Sequence, residues 1–196
     1  VSPKDARPLR ADAQINHDRL LDAAARAFAE DGADASLKAI AQDAGVGIGT
    51  LYRRFPTRER LVEATYRNEV ARICAAAPEL LKTSPAVDAL RAWMDLFLDF
   101  LATKRGMAEA LRAVLVADGE LRMRTRDLLT DALATLLKAG TDSIRQDVEP
   151  DDVLMALGGV ALIAGEPTQR DQSRRLLNLL VDGLTPKVRE GHIEGL

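Results

Sequence analysis

Apolar residues recur along this chain at spacings of three and four and almost nowhere at two. That period places them along one side of a helix, not on one face of a strand, so a sheet-based fold is excluded from the outset. Leu20, Leu21, Ala24, Ala27 and Phe28 form the first stripe, closed by Gly32. Ser36 stands where a cap is needed ahead of Leu37, Ile40, Ala41 and Ala44. Gly45-Val46-Gly47 interrupts, and Thr50, Leu51, Tyr52 and Phe55 make a short third helix. Thr57 caps a fourth, carrying Leu61, Val62, Ala64, Thr65, Val70 and Ile73, which is expected to fade before Pro78. Ser84 and Pro85 open a fifth, with Lys104 and Arg105 in its last turn and Gly106 as the residue just past its end.

A shorter helix follows to Ala117, then a long one from Leu121 to about Arg145. Pro150-Asp151-Asp152 opens the eighth, and Leu176, Leu177, Leu179, Leu180, Val181 and Leu184 mark the ninth. The expectation is an all-α chain of about nine helices. An N-terminal three-helix unit precedes a C-terminal helical bundle, and the stretch from Pro78 to Pro85 divides them.

With 47% apolar residues over 196 positions the chain can bury a real core, which excludes disorder. Cys74 is the single cysteine, so no disulfide scaffold is available. No apolar run approaches the roughly 20 residues that span a bilayer. The segment VSPKDARPLRADAQ lacks the apolar stretch of a secretory signal, and the reading is a cytoplasmic protein. The net charge of −3 argues, taken alone, against a nucleic-acid binder. The charge is unevenly placed, however. Residues 1–72 carry 12 basic and 11 acidic side chains, whereas the remainder carries 15 and 19. Arg53, Arg54, Arg58 and Arg60 fall within eight residues and are opposed there only by Glu59.

The informative stretch is SLKAIAQDAGVGIGTLYRRF, Ser36 to Phe55. Two helices that cross closely need a small residue at the crossing, and Ala41 supplies it. The tight turn between them needs a residue that tolerates positive φ, and Gly45 stands four positions later. Ile40, Val46 and Leu51 fall where apolar contacts lock the pair. The second helix thus has its apolar side committed inward, leaving Gly47, Ile48, Gly49, Thr50, Tyr52, Arg53 and Arg54 outward.

With its flanks this stretch resembles the DNA-binding domain of TetR-family transcriptional regulators. The matching residues are Leu20, Leu21, Ala23, Ala24, Phe28 and Gly32, then Ile40-Ala41, Ala44-Gly45-Val46, Gly49-Thr50-Leu51-Tyr52, Phe55 and Leu61. The resemblance covers residues 13–73, with the helix-turn-helix at 36–55. It leaves 1–12 as a flexible basic arm, 74–84 as the end of a connecting helix and linker, and 85–196 as an effector-binding and dimerisation domain. Gly47 stands where the family often has a capping serine, and Arg58 where a lysine is usual.

The resemblance implies roles. The helix from Ile48 to Phe55 enters the major groove, with Gly47 and Ile48 at its leading end and Thr50 and Arg53 at base edges. Tyr52, Ser36, Lys38, Arg54 and Arg58 hold phosphates. Arg7 and Arg10 either reach a neighbouring minor groove or belong to a frayed tail.

Other chemistry is not encoded in recognisable form. GVGIGT lacks both the third glycine and the preceding strand of a dinucleotide loop. His17 and His192 are the only histidines, with no cysteine pair, so neither a zinc site nor a cofactor is expected. Cys74 lies on the apolar side of its helix, and no nucleophile–base spacing suggests an enzyme.

In the second half, Trp93, Met94, Phe97, Met107, Leu111 and Met123 form either a packed core or an apolar effector pocket. Leu157, Val160, Ala161, Leu176, Leu177, Leu180, Val181 and Leu184 give the last two helices apolar surface suited to a four-helix dimer interface. The expected function is a dimeric regulator, a repressor that binds an inverted-repeat operator in double-stranded DNA and is released by a small hydrophobic effector. The alternative is an all-helical small-molecule-binding protein that has lost specific DNA binding.

Overall fold

A computed structural model describes the backbone of residues 6–165 and 167–186, and the side chains of these except 6–13 and Pro167. Nine α-helices and no strand are found among the described residues. They are α1 (Ala6–Asp31), α2 (Leu37–Asp43), α3 (Ile48–Arg54), α4 (Arg58–Thr83), α5 (Ala86–Gly106), α6 (Ala108–Ala117), α7 (Gly119–Ala139), α8 (Pro150–Ala164) and α9 (Arg170–Leu184). None is long and apolar enough to cross a membrane.

Two compact units result. Among the described residues, one comprises those within 1–74 and 97–129 and the other those within 75–96 and 130–196. In the first, Leu20, Leu21, Ala24 and Phe28 of α1 pack with Ile40, Leu51, Leu61 and Val62, each almost fully buried. Burying one such aliphatic or aromatic side chain is worth roughly 1.5–3 kcal/mol, so this set dominates the unit's stability. Tyr66 of α4 is buried there too, hydrogen-bonded to Thr125 of α7, and burial pushes its phenol pKa up. Its ring packs 5.9 Å from Phe100, which meets Phe97 at 6.0 Å.

Gly106 is required for a reason the spacing hides. It ends α5 without positive φ, so it is not the left-handed cap its position suggested. A Cβ there would lie 1.6 Å from the Phe28 carbonyl oxygen, and only hydrogen fits between α5 and α1. Three element ends also differ from the sequence expectations. Residues 6–12, assigned to a flexible arm, open α1, because Pro8 sits in the first turn, where its missing N–H has no intrahelical partner to lose. Arg7 and Arg10 therefore lie on helical backbone, and their side chains are outside the described residues.

Helix α4 continues through Pro78 to Thr83, so residues 74–83 form no linker. Ala75, Ala76, Ala77, Leu80 and Leu81 are strong helix formers around the one hydrogen bond that proline removes. Helix α7 stops at Ala139, not near Arg145. At Gly140 the chain turns, Ile144 donates back to the Gly140 carbonyl at 2.6 Å, and the Ile144 side chain is buried against that turn.

In the second unit, Pro150 begins α8 at its first position, with Asp151 and Asp152 against the helix dipole. Ser173 of α9 donates to the Ala164 carbonyl, and Arg91 of α5 donates to Asn178. The residues expected at an interface divide between inward and outward positions. Leu157, Val160 and Ala161 of α8 and Leu177, Val181 and Leu184 of α9 are buried within the chain itself. Leu176 and Leu180 stay half-exposed. The outward apolar stripe of α8 is instead Met155, Leu162 and Ile163, with Leu162 86% exposed, and that of α9 includes Leu179, 67% exposed. The buried residues lie beside the outward ones on the helix surface, and both helices are apolar enough on two sides for the pattern to allow either choice.

Candidate nucleic-acid interface

Helices α2 and α3 meet through a turn built from backbone. The Ser36 side chain accepts from the Ala39 N–H at 3.5 Å and caps α2. Gly45 takes φ +70°, which a side chain would strain. Its N–H reaches the Gln42 carbonyl at 3.0 Å, and the Val46 N–H reaches Ala41 at 2.9 Å. Ile40 and Ala41 from α2 and Leu51 from α3 are buried. Gly47 begins α3 with no side-chain cap, so only backbone bonds from Thr50 and Leu51 to the Gly47 carbonyl hold that end.

The other side of α3 is open. Tyr52 is 49% exposed and Ile48 40%; Gly47, Gly49, Arg53 and Arg54 are exposed, and Thr50 is half-buried. A Cβ added at Gly47 or Gly49 would meet nothing within 4 Å. Ser36 and Lys38 are exposed on the neighbouring helix. Apolar side chains beside arginines, with bare backbone between them, suit the floor of a DNA groove, where contacts go to base edges, methyl groups and phosphates together. An Arg26–Asp43 pair at 2.8 Å joins α1 to α2 at the surface, where such a pair adds little stability.

Two residues make contacts that the sequence did not indicate. Arg58 does not stand free for a phosphate. It is half-buried, donating to the Ala35 carbonyl at 2.7 Å and the Ala33 carbonyl at 2.9 Å, with its guanidinium 5.2 Å over the Phe28 ring. It ties the start of α4 to the segment that leads into the Ser36 cap. A longer-range acceptor pair of this kind leaves no mark in the local sequence. His17, a residue without an assigned role, lies at the other end of α3. Its Nδ1 accepts from Arg54 Nε at 3.0 Å, and its ring stacks 5.6 Å from Phe55 with the planes 26° apart.

Of the residues expected around an effector, Trp93, Met94, Phe97, Met107 and Leu111 are buried, and Met123 is 58% exposed. Met107 borders a cleft of about 400 Å³ with Phe28, Arg58, Val62 and Glu109. Among the described residues no group of three or more His, Cys, Asp or Glu side chains could hold a metal ion. His192 lies outside them.

An exposed, arginine-bearing second helix locked by a glycine turn defines the chain as a helix-turn-helix DNA-binding regulator, and comparison with known proteins agrees. Residues 20–65 match the model of bacterial regulatory proteins of the tetR family. Residues 85–186 match that of the transcriptional regulator SbtR-like C-terminal domain. The chain belongs to the TetR family of transcriptional regulators, which are DNA-binding proteins and not enzymes.

Among solved structures, a TetR transcriptional regulator from Streptomyces coelicolor is 50% identical, with a TM-score of 0.81 over 87% of this chain and 99% of that one. A TetR regulatory protein from Mycobacterium vanbaalenii is 30% identical, with a TM-score of 0.71 over 91% and 100%. LfrR from Mycobacterium smegmatis, solved in complex with proflavine, shares the fold at 23% identity and a TM-score of 0.62, over 90% and 99%.

Proposed function

We propose that this chain is a cytoplasmic repressor that binds an inverted-repeat operator as a dimer and releases it when a small hydrophobic effector binds the C-terminal helices. The observation that carries the DNA reading is the division of α3. Leu51 is buried, whereas Tyr52, Arg53 and the open backbone of Gly49 face outward. One seven-residue helix reads few bases, and a second copy on the adjacent half-site supplies the rest.

The dimer reading is supported by the outward apolar stripes. Met155, Leu162 and Ile163 run along α8, and Leu176, Leu179 and Leu180 along α9. Gly158 and Gly159 add bare backbone that a facing helix can approach. LfrR, which shares the fold, binds proflavine, a planar aromatic molecule, and this supports an aromatic effector for this chain.

Release needs a coupling element, and Arg58 is suited to it. A displacement of the start of α4 draws its guanidinium from the Ala33 and Ala35 carbonyls immediately before the α2 cap. Effector and operator then oppose each other through one coupling free energy, felt equally by both. Fluorescence anisotropy with a duplex selected by the wild-type chain tests the DNA reading. Arg53→Ala with Arg54→Ala lowers affinity at least about 30-fold, since each specific contact is worth roughly 1–3 kcal/mol. Equal binding by both proteins overturns the role of α3 and favours a helical small-molecule binder without DNA specificity.

A further inference from the structure

We propose that His17 is a positioning residue for DNA binding: its neutral imidazole fixes Arg54 in the orientation in which that guanidinium meets a phosphate. The inference rests on the DNA-binding role of α3. The geometry is specific. Phe55 holds the His17 ring in a stack, and that ring's Nδ1 accepts from Arg54 Nε at 3.0 Å. Only the edge nitrogen Nε is engaged, and among the described residues nothing accepts from the terminal NH2 groups of Arg54, which is exposed. Those groups are the ones that form paired bonds to a phosphate. A long side chain at the end of a helix has many rotamers, and fixing it before DNA arrives lowers the entropy lost on contact.

The acceptor must be an unprotonated nitrogen, because a protonated imidazole has only donors to offer. The charged groups acting on His17 are Arg54 across from it and Asp18 beside it on α1, the latter already taking a 2.8 Å bond from Gln14. Partial burial and Arg54 outweigh Asp18 and hold the imidazole below the ordinary histidine range. The contact is therefore complete above about pH 6.5 and is lost as pH falls through the lowered value. Protonation removes the acceptor and sets two cations against each other.

The test combines a double-mutant cycle with a pH series, using the full chain and the duplex it enriches from a random pool. At about pH 8, Arg54→Ala is expected to weaken binding about tenfold, the size of one charge-assisted hydrogen bond. In the His17→Phe background, which keeps a ring against Phe55, the same change costs less than about threefold because Arg54 is no longer held. The wild-type advantage over His17→Phe shrinks as pH is lowered through the His17 titration itself, located by the NMR measurement below. An equal cost of Arg54→Ala in both backgrounds overturns the proposal. So does a wild-type advantage that stays constant, or one that grows on acidification, which would make His17 a cationic phosphate contact.

A second readout needs no DNA. The chain has two histidines, so its imidazole NMR signals are resolved, and His192→Gln assigns them. The His17 titration is expected below the ordinary histidine value and moves up in Arg54→Ala; an unchanged titration overturns the contact. If no duplex is enriched, the DNA-binding reading fails and takes this proposal with it. Enrichment without coupling between His17 and Arg54 overturns this proposal alone.

Discussion

Helix α3 is apolar on one side and helix α8 on two, and they divide their surfaces in different ways. In α3 the single buried residue is Leu51, and the outward side carries Tyr52 and two arginines. In α8 six of fifteen residues are buried, and the outward side still carries Met155, Leu162 and Ile163. One apolar stripe identifies the inward side of a helix unambiguously. Two apolar stripes do not, because pattern records that both avoid water and not which molecule covers each. The exposed side of α3 therefore follows from its residues, whereas for α8 the pattern leaves open which stripe turns inward.

Truncation separates the two stripes of α8 most sharply. Leu157→Ala empties a fully buried site and is expected to cost about 2–5 kcal/mol in urea unfolding. Leu162→Glu with Leu179→Glu leaves the helical content intact and converts a dimer to a monomer in sedimentation. Monomers produced by Leu157→Ala, with Leu162→Glu remaining dimeric, reverse the assignment of the two stripes.

A smaller effect separates Arg58 from the exposed cations proposed to meet DNA. Arg58→Met leaves the buried Ala35 carbonyl without its donor and is expected to destabilise the fold by about 1–3 kcal/mol. It leaves the salt dependence of operator binding unchanged. Lys38→Ala does the reverse, keeping stability and reducing the slope of log affinity against log salt by about 1. A loss of slope in Arg58→Met would return that residue to the phosphate contacts.

The smallest change concerns the open backbone of α3. Gly49→Ala adds a methyl that meets nothing within 4 Å and replaces a poor helix former, which gains up to about 1 kcal/mol of stability. The same methyl occupies the surface proposed to lie in the groove, so operator affinity falls about tenfold. Stability and affinity rising together would place Gly49 outside the interface.

What could be read from the sequence was local. Ser36, Ala41, Gly45 and Leu51 act within one span of twenty residues, and each signals its role by type and spacing. What escaped was distant. The acceptors of Arg58 lie 23 and 25 residues away, and His17 meets Arg54 across 37. Gly106 looked like a helix cap because helices commonly end that way, while its cause is the Phe28 carbonyl on another helix. The persistence of α4 through Pro78 is a different case with a local cause, since neighbouring helix formers outweigh one lost hydrogen bond. The net charge of −3 is uninformative for a related reason: it averages over the whole chain, whereas the exposed cations Lys38, Arg53 and Arg54 gather around one short helix.

Selection of bound duplexes from a random pool, followed by footprinting of the enriched sequence, tests the central claim that two copies of α3 read DNA. The account predicts an inverted repeat, with each half-site protected in the major groove and protection lost in Arg53→Ala with Arg54→Ala. Absence of any enriched sequence at low salt, or an enriched sequence bound equally by that variant, would contradict it.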